Sequence, residues 1–161
     1  MVRHIDLLHN KTVLDLACGD GRNAIYLASK GYSVTAIDIS DVALDRLTHF
    51  AKEVHVQIAT KQMDLEIAEE LDQSGVFDNI LVNSYKPSQA LWNKLPSVLH
   101  KDGILIMTVF SMHQHHKHDF SSQFCAEEGE YLEATLELEA LEYEKLSYNE
   151  KYLDGYVFRR K

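Results

Sequence analysis

The feature that most constrains this chain is a strand that runs into a glycine turn and leaves it as a helix. Lys11-Thr12-Val13-Leu14-Asp15-Leu16 is a short apolar run, the pattern of a strand covered on both faces. Ala17-Cys18-Gly19-Asp20-Gly21 follows it. Residues 22–30 then read as a helix stopped by Gly31. The alternation repeats. A second strand is expected over 33–38, and then a helix capped by Ser40 that carries Val42, Ala43, Leu44, Leu47 and Phe50. Further strands are expected over 54–58 and 77–82, and a helix over 87–99 with Pro87 near its first turn. The longest clean strand is expected over 104–110, after the turn Lys101-Asp102-Gly103. Residues 65–74 read as a short helix or a loop. Strands and helices alternating at these lengths make βαβ units and a mostly parallel sheet.

The pattern changes after residue 110. Residues 111–122 are polar, carry four histidines and read as a loop, and 127–136 suggest a helix. Residues 138–146 and 152–160 read as two strands whose short connection makes them an antiparallel pair. No repeat or interdomain linker interrupts the chain, so one domain over 1–161 is expected, a common domain size. No run reaches 18 apolar residues, so no membrane span is expected, and the first residues do not read as a signal peptide. Cys18 and Cys125 stand 107 positions apart and resemble neither a disulfide framework nor a zinc site, which makes a reducing cytoplasm the default location.

Charge narrows the partners. Twenty-five acids face 16 bases, and nine glutamates with one lysine, Lys145, fall between residues 127 and 150. Such a surface repels phosphates, so DNA or a large RNA is not an expected substrate. The basic end, Arg159-Arg160-Lys161, is too short to reverse this. A small-molecule substrate remains. Tyr131, Tyr143, Tyr148, Tyr152 and Tyr156 crowd the last part of the chain, either covering the sheet or forming the edge of a homodimer.

The glycine turn carries the chemistry. Gly19 and Gly21 have no Cβ, so a ligand can pack against the backbone there. The dinucleotide fingerprint Gly-x-Gly-x-x-Gly fails at Ala24, which disfavours a nicotinamide oxidoreductase. No Gly-Lys-Ser or Gly-Lys-Thr makes a nucleoside-triphosphate loop. Asp15, just before the turn, can orient its amides or accept from a ligand ammonium. Asp38 ends the second strand, where an acid can accept from both ribose hydroxyls. Asp64 follows the third strand, within reach of a base's exocyclic amine. The three acids describe a nucleoside-shaped ligand that carries an ammonium and no pyrophosphate.

The stretch Val13-Leu14-Asp15-Leu16-Ala17-Cys18-Gly19-Asp20-Gly21-Arg22-Asn23-Ala24 resembles the first motif of class I methyltransferases that use S-adenosylmethionine. Carried on through Ile37-Asp38-Ile39-Ser40, it is similar to the tellurite-resistance branch of that superfamily. Weaker likeness continues through Asp64, Phe77-Asp78, Asn83, Lys101-Asp102-Gly103 and the tail. The resemblance implies a Rossmann-like α/β fold: a three-layer sandwich around a seven-stranded, mostly parallel sheet whose last strand is antiparallel. It implies that Asp15, Ala17, Gly19 and Gly21 line the methionine part of the cofactor, with Arg22 and Asn23 at the rim. Asp38 would hold the ribose, Ile39 would lie against the adenine, Asp64 with Leu65 would receive the adenine edge, and Asn83 would face the methyl group.

The chain departs from the family at three places. Ala17 replaces the usual first glycine. Asn83-Ser84-Tyr85-Lys86-Pro87 stands where the group often has a histidine. Only 11 residues precede Thr12, fewer than relatives often have, which would leave the pocket open. The expected activity is methyl transfer to a small acceptor, a thiol or a tellurium or selenium oxyanion. Tyr85 is the candidate catalytic residue, as a wall or as a proton acceptor, a role that a histidine of the 111–122 loop could also take. The alternative is a cofactor-binding but non-catalytic partner domain. Cys18 reads as packing. His113, His115, His116 and His118 lack partners at a ligand spacing, so no metal site is expected.

Overall fold

Eight strands join in one sheet in the computed structural model, which describes residues 2–8, 11–133 and 137–161. In chain order the elements are β1 (Thr12–Leu16), α1 (Arg22–Ser29), β2 (Ser33–Asp38), α2 (Asp41–Glu53), β3 (Ala59–Gln62), β4 (Phe77–Asn83), α3 (Gln89–Lys94), β5 (Leu99–Ser111), α4 (Met112–His118), β6 (Cys125–Ala126), β7 (Leu138–Tyr148) and β8 (Lys151–Arg160). The sheet order is β3-β2-β1-β4-β5-β8-β7, with the two-residue β6 beside β5. β1 to β6 pair in parallel, and β8 is antiparallel to both β5 and β7. This is the expected mostly parallel fold with its terminal antiparallel strand; the seven strands of the main path match the expected number, and the two-residue β6 adds an eighth. β1 lies between β2 and β4, so the strand order reverses there, and a crevice opens beyond the carboxyl ends of those strands.

Strand periodicity divides the core into two layers. Val13, Val34, Ala36, Leu81 and Ile106 pack against Ala24 and Leu27 of α1 and Leu47 and Ala51 of α2. Their neighbours Leu14, Leu16, Ile37, Ile80, Leu105 and Met107 face Leu91 and Trp92 of α3. Trp92 is 1% exposed and packs against Tyr131 and Phe158 at ring-centroid distances of 4.7 and 5.3 Å. The sandwich therefore has three layers. No helix among the described residues is long and apolar enough to cross a membrane.

Four expectations are corrected. Val54–Ile58 is not a strand: Val54 caps α2, His55 takes φ 59, and β3 begins at Ala59. Residues 111–122 are not all loop, since Met112–His118 forms α4. Residues 127–133 make turns rather than a helix, with Gly129 at φ 70, while 134–136 lie outside the described residues. Pro87 precedes the N-cap Ser88 and lies outside the first turn of α3, which gives way to a 3₁₀ turn over Leu95–Val98.

Candidate active site

The parallel ladders align the ends of four strands. Leu16 pairs with Ile37 on one side and Val82 on the other, so Ala17, Asp38 and Asn83 leave the sheet side by side. Met63 Nα donates to the Asp38 carbonyl at 3.0 Å and brings Asp64 to the same edge. Every expected site residue from Asp15 to Tyr85 belongs to this edge or to the turn and helix start beside it.

Asp15 is the anomaly of the site. It is 1% exposed, and neither carboxylate oxygen has a hydrogen-bond partner. Burial raises its pKa to about 7. The backbone amide of Ala24, close to the carboxylate but outside normal hydrogen-bond geometry, offsets the rise in part, and the Asp38 charge adds to it. An unpartnered buried carboxylate costs folding energy unless a donor reaches it.

The two turn glycines do different work. At Gly19, φ is +55 and a Cβ would meet nothing within 4 Å, so the turn is open there. At Gly21, a Cβ would lie 2.3 Å from Leu47 Cγ; this glycine lets α2 close onto the start of α1. Ala17 holds a left-handed φ of 54, a conformation that costs a residue with a side chain roughly 1–2 kcal/mol.

Asp38 ties the turn to α2. One oxygen accepts from Gly19 Nα at 2.8 Å and the other from Ser40 Nα at 2.9 Å. Ser40 Oγ then caps α2 by accepting from Ala43 Nα at 3.2 Å. Ile39 beside it is 61% exposed, an apolar wall on the edge. Asp64 accepts from Glu66 Nα at 3.0 Å. Leu65 is buried in the core, so only its main chain can face a ligand. Asn83 is exposed, and its Oδ1 accepts from Thr108 Oγ1 at 3.0 Å. Arg22 is exposed on the first turn of α1, with Asn23 half-buried beside it.

Residues 13–103 match a family model described as a methyltransferase domain. The chain belongs to this methyltransferase family. An uncharacterized methyltransferase of Schizosaccharomyces pombe is 30% identical over 109 residues, which is 63% of this chain and 73% of that one. A probable S-adenosyl-L-methionine-dependent methyltransferase, TehB of Haemophilus influenzae, is 38% identical over 56 residues, 35% of this chain and 20% of its own length. The crystal structure of TehB from Haemophilus influenzae superposes with a TM-score of 0.80 at 21% identity. It covers 99% of this methyltransferase, which spans 61% of the TehB chain. Magnesium protoporphyrin IX methyltransferase from Synechocystis, solved with bound SAH, superposes at 0.78 and 20% identity, covering 99% of this chain and 78% of its own.

S-adenosylmethionine is the cofactor of this methyltransferase class, and the residues present fit it. The cofactor is a cation with a primary ammonium. The turn offers a buried carboxylate without a donor, Asp15, and open space at Gly19.

Beside the edge lies a cavity of about 370 Å³ whose lining includes Glu66, Tyr85, Lys86, Phe110, Phe120 and Phe124. Tyr85 reaches it, but as a donor: its hydroxyl hydrogen-bonds Glu66 Oε1 at 2.9 Å. Burial, that bond and the charges of Glu66, Asp64 and Asp38 all push its pKa up, which disfavours the ionised phenolate a proton acceptor would need. Lys86 is engaged by the Cys125 carbonyl at 2.6 Å and by Glu130 at 3.2 Å. No histidine lines this cavity among the described residues: His115 Nδ1 lies 2.6 Å from the Phe120 carbonyl oxygen, and His113 packs on Tyr152. Cys18 is a protonated packing residue, its pKa raised by burial and by Asp15, Asp38 and Asp20, and both cysteines are free. Sequence reasoning missed Glu66, Thr108 and the three phenylalanines. Only Phe110, at the carboxyl end of the longest strand, carried a positional signal.

Proposed function

We propose that this methyltransferase transfers a methyl group from S-adenosylmethionine to a small, soft, apolar nucleophile, a thiol rather than a tellurium or selenium oxyanion. The observation that carries the reading is the juxtaposition of the acidic edge with the aromatic cavity. S-adenosylmethionine supplies an activated methyl on a sulfonium, so the protein's work is to bind, align and exclude water.

Asp15 would take the cofactor's ammonium, with Ala17 and Gly19 leaving room along the turn. Asp38 would use its remaining lone pairs for the ribose, and Ile39 would lie against the adenine. Asp64 and the Leu65 amide would meet the adenine edge. Asn83, held by Thr108, would stand between cofactor and acceptor, with Arg22 and Asn23 at the rim. The carboxylates on this edge favour a cationic cofactor and disfavour an anionic acceptor. Phe110, Phe120, Phe124 and Tyr85 give the acceptor an apolar, water-poor wall, while Lys86 is held by Glu130 and offers an oxyanion little. Tyr85 positions Glu66, whose carboxylate would accept the thiol proton. The test is methyl transfer from labelled S-adenosylmethionine to alkyl and aryl thiols and, separately, to tellurite and selenite. Faster turnover of thiols is expected; turnover of the oxyanions alone would overturn the acceptor assignment.

A further inference from the structure

A second cavity, of about 440 Å³, lies on the other side of β6, between α4, Glu127–Glu128 and the β7–β8 hairpin. Asp154 lines it, is 2% exposed, and has an Oδ2 with no hydrogen-bond partner. Burial opposes the ionised Asp154 most strongly; on the same face, the Tyr143 hydroxyl, the Lys145 charge and the Gly129 amide each favour it in part, and neither the Tyr143 nor the Tyr156 hydroxyl completes a hydrogen bond of normal geometry. A buried carboxylate in that state is unfavourable in the empty protein and is relieved by a donor. The rest of the lining says which donor. Glu127 and Glu128 add negative charge, and Tyr152, Leu146 and Leu153 supply an aromatic and apolar wall. His113 lies perpendicular to the Tyr152 ring at 4.3 Å, and His118 stacks on that ring at 6.0 Å. The one lysine of the lining, Lys145, is exposed and bound to Glu128 at 2.7 Å, so it spans the cavity from β7 to the covering turn.

We propose that this cavity binds a small organic ammonium, with Asp154 as its buried counter-charge and Tyr152 as the face for its alkyl body. Carboxylates exclude anions, the aromatic ring favours a cation over a neutral guest, and the apolar wall favours an alkylammonium over a bare metal ion. Lys145 competes for the same carboxylates. The site does not rest on the methyl-transfer reading, because it shares no lining residue with the Tyr85 cavity.

The test is amide NMR of the full chain titrated with n-butylammonium chloride, with sodium butyrate and n-butanol as controls. Saturable shifts at residues 153–155 and His113, with a dissociation constant in the millimolar range, are expected for butylammonium and not for the controls. Asp154→Asn, which removes a buried charge and should fold, weakens binding about tenfold or more. Lys145→Ala, at an exposed position, tightens it. Butylammonium shifts that are unchanged in Asp154→Asn, equal shifts with butyrate, or no saturation up to about 50 mM would overturn the proposal.

Discussion

At the scale of single residues, Asp15 shows how a motif position acquires its chemistry. The sequence marks it as the acid before the turn, but its lack of partners depends on α1 and β4 closing around it. That is a tertiary fact no local pattern carries. The consequence is a stability that depends on pH. The folded protein holds the Asp15 proton more tightly than the unfolded chain, so stability falls as pH rises from about 3.8 to about 7. That rise in pKa corresponds to roughly 4 kcal/mol of cost once the group is ionised. Asp15→Asn should therefore raise the Tm of the ligand-free protein at pH 8, and the advantage should shrink toward zero at pH 4. Thermal melts at the two pH values check this. Tyr85 teaches the converse lesson. Its place after β4 was legible, but its partner Glu66 stands 19 positions earlier, and the Tyr85 hydroxyl donates to it. Tyr85→Phe should cost the acceptor KM and several-fold in kcat, and leave cofactor affinity unchanged in steady-state kinetics. A loss of cofactor binding would contradict that division of roles.

At the scale of elements, the β1-turn-α1 unit was legible because its pattern is dense and local. The misread segments had weaker or misleading signals. Val54-His55-Val56-Gln57-Ile58 alternates like a strand, yet Val56 and Ile58 half-bury against the α1–α2 layer while His55 turns the chain. The real β3, an edge strand, is mostly exposed and carries no apolar alternation. α4 is seven residues with only Gln114 buried, and that side chain accepts from Tyr152 Nα at 2.8 Å, a contact 38 positions away. Residues 127–133 have helix-forming composition, but Tyr131 is drawn onto Trp92 and donates to the Pro87 carbonyl at 3.1 Å, while Gly129 breaks the helix. The turn itself yields a paired prediction. Gly21→Ala drives a methyl into Leu47 at a positive φ and should destabilise by about 3 kcal/mol or more, seen as a large drop in Tm. Gly19→Ala has open space, so it should cost only about 1–2 kcal/mol of backbone strain and act mainly on cofactor affinity. Equal Tm losses in the two variants would contradict the separate roles assigned to these glycines.

At the scale of the whole molecule, the topology does the gathering. Because β1 sits between β2 and β4, acids from residues 15, 38 and 64 meet at one edge, and the β5–β6 region sets an aromatic cavity next to them. The sequence allowed the acids to be placed on that edge, because parallel strands deliver their carboxyl ends to one side. It did not show the two cavities, which flank β6 and depend on how residues 111–133 fold back on the sheet. The net charge of -9 has the sign that the proposed binding of a cationic cofactor at this edge needs. The most direct test of the central claim is calorimetric titration of the purified protein and of Asp15→Asn with S-adenosylmethionine at pH 6 and pH 7, where the ligand's amino group stays largely protonated. Micromolar binding that tightens from pH 6 to pH 7 is expected for the native chain, as Asp15 ionises. Binding at least about tenfold weaker and insensitive to pH is expected for Asp15→Asn. Equal affinity of the two proteins at both pH values, or no heat from the native chain up to millimolar ligand, would contradict the assignment of this edge as the cofactor site.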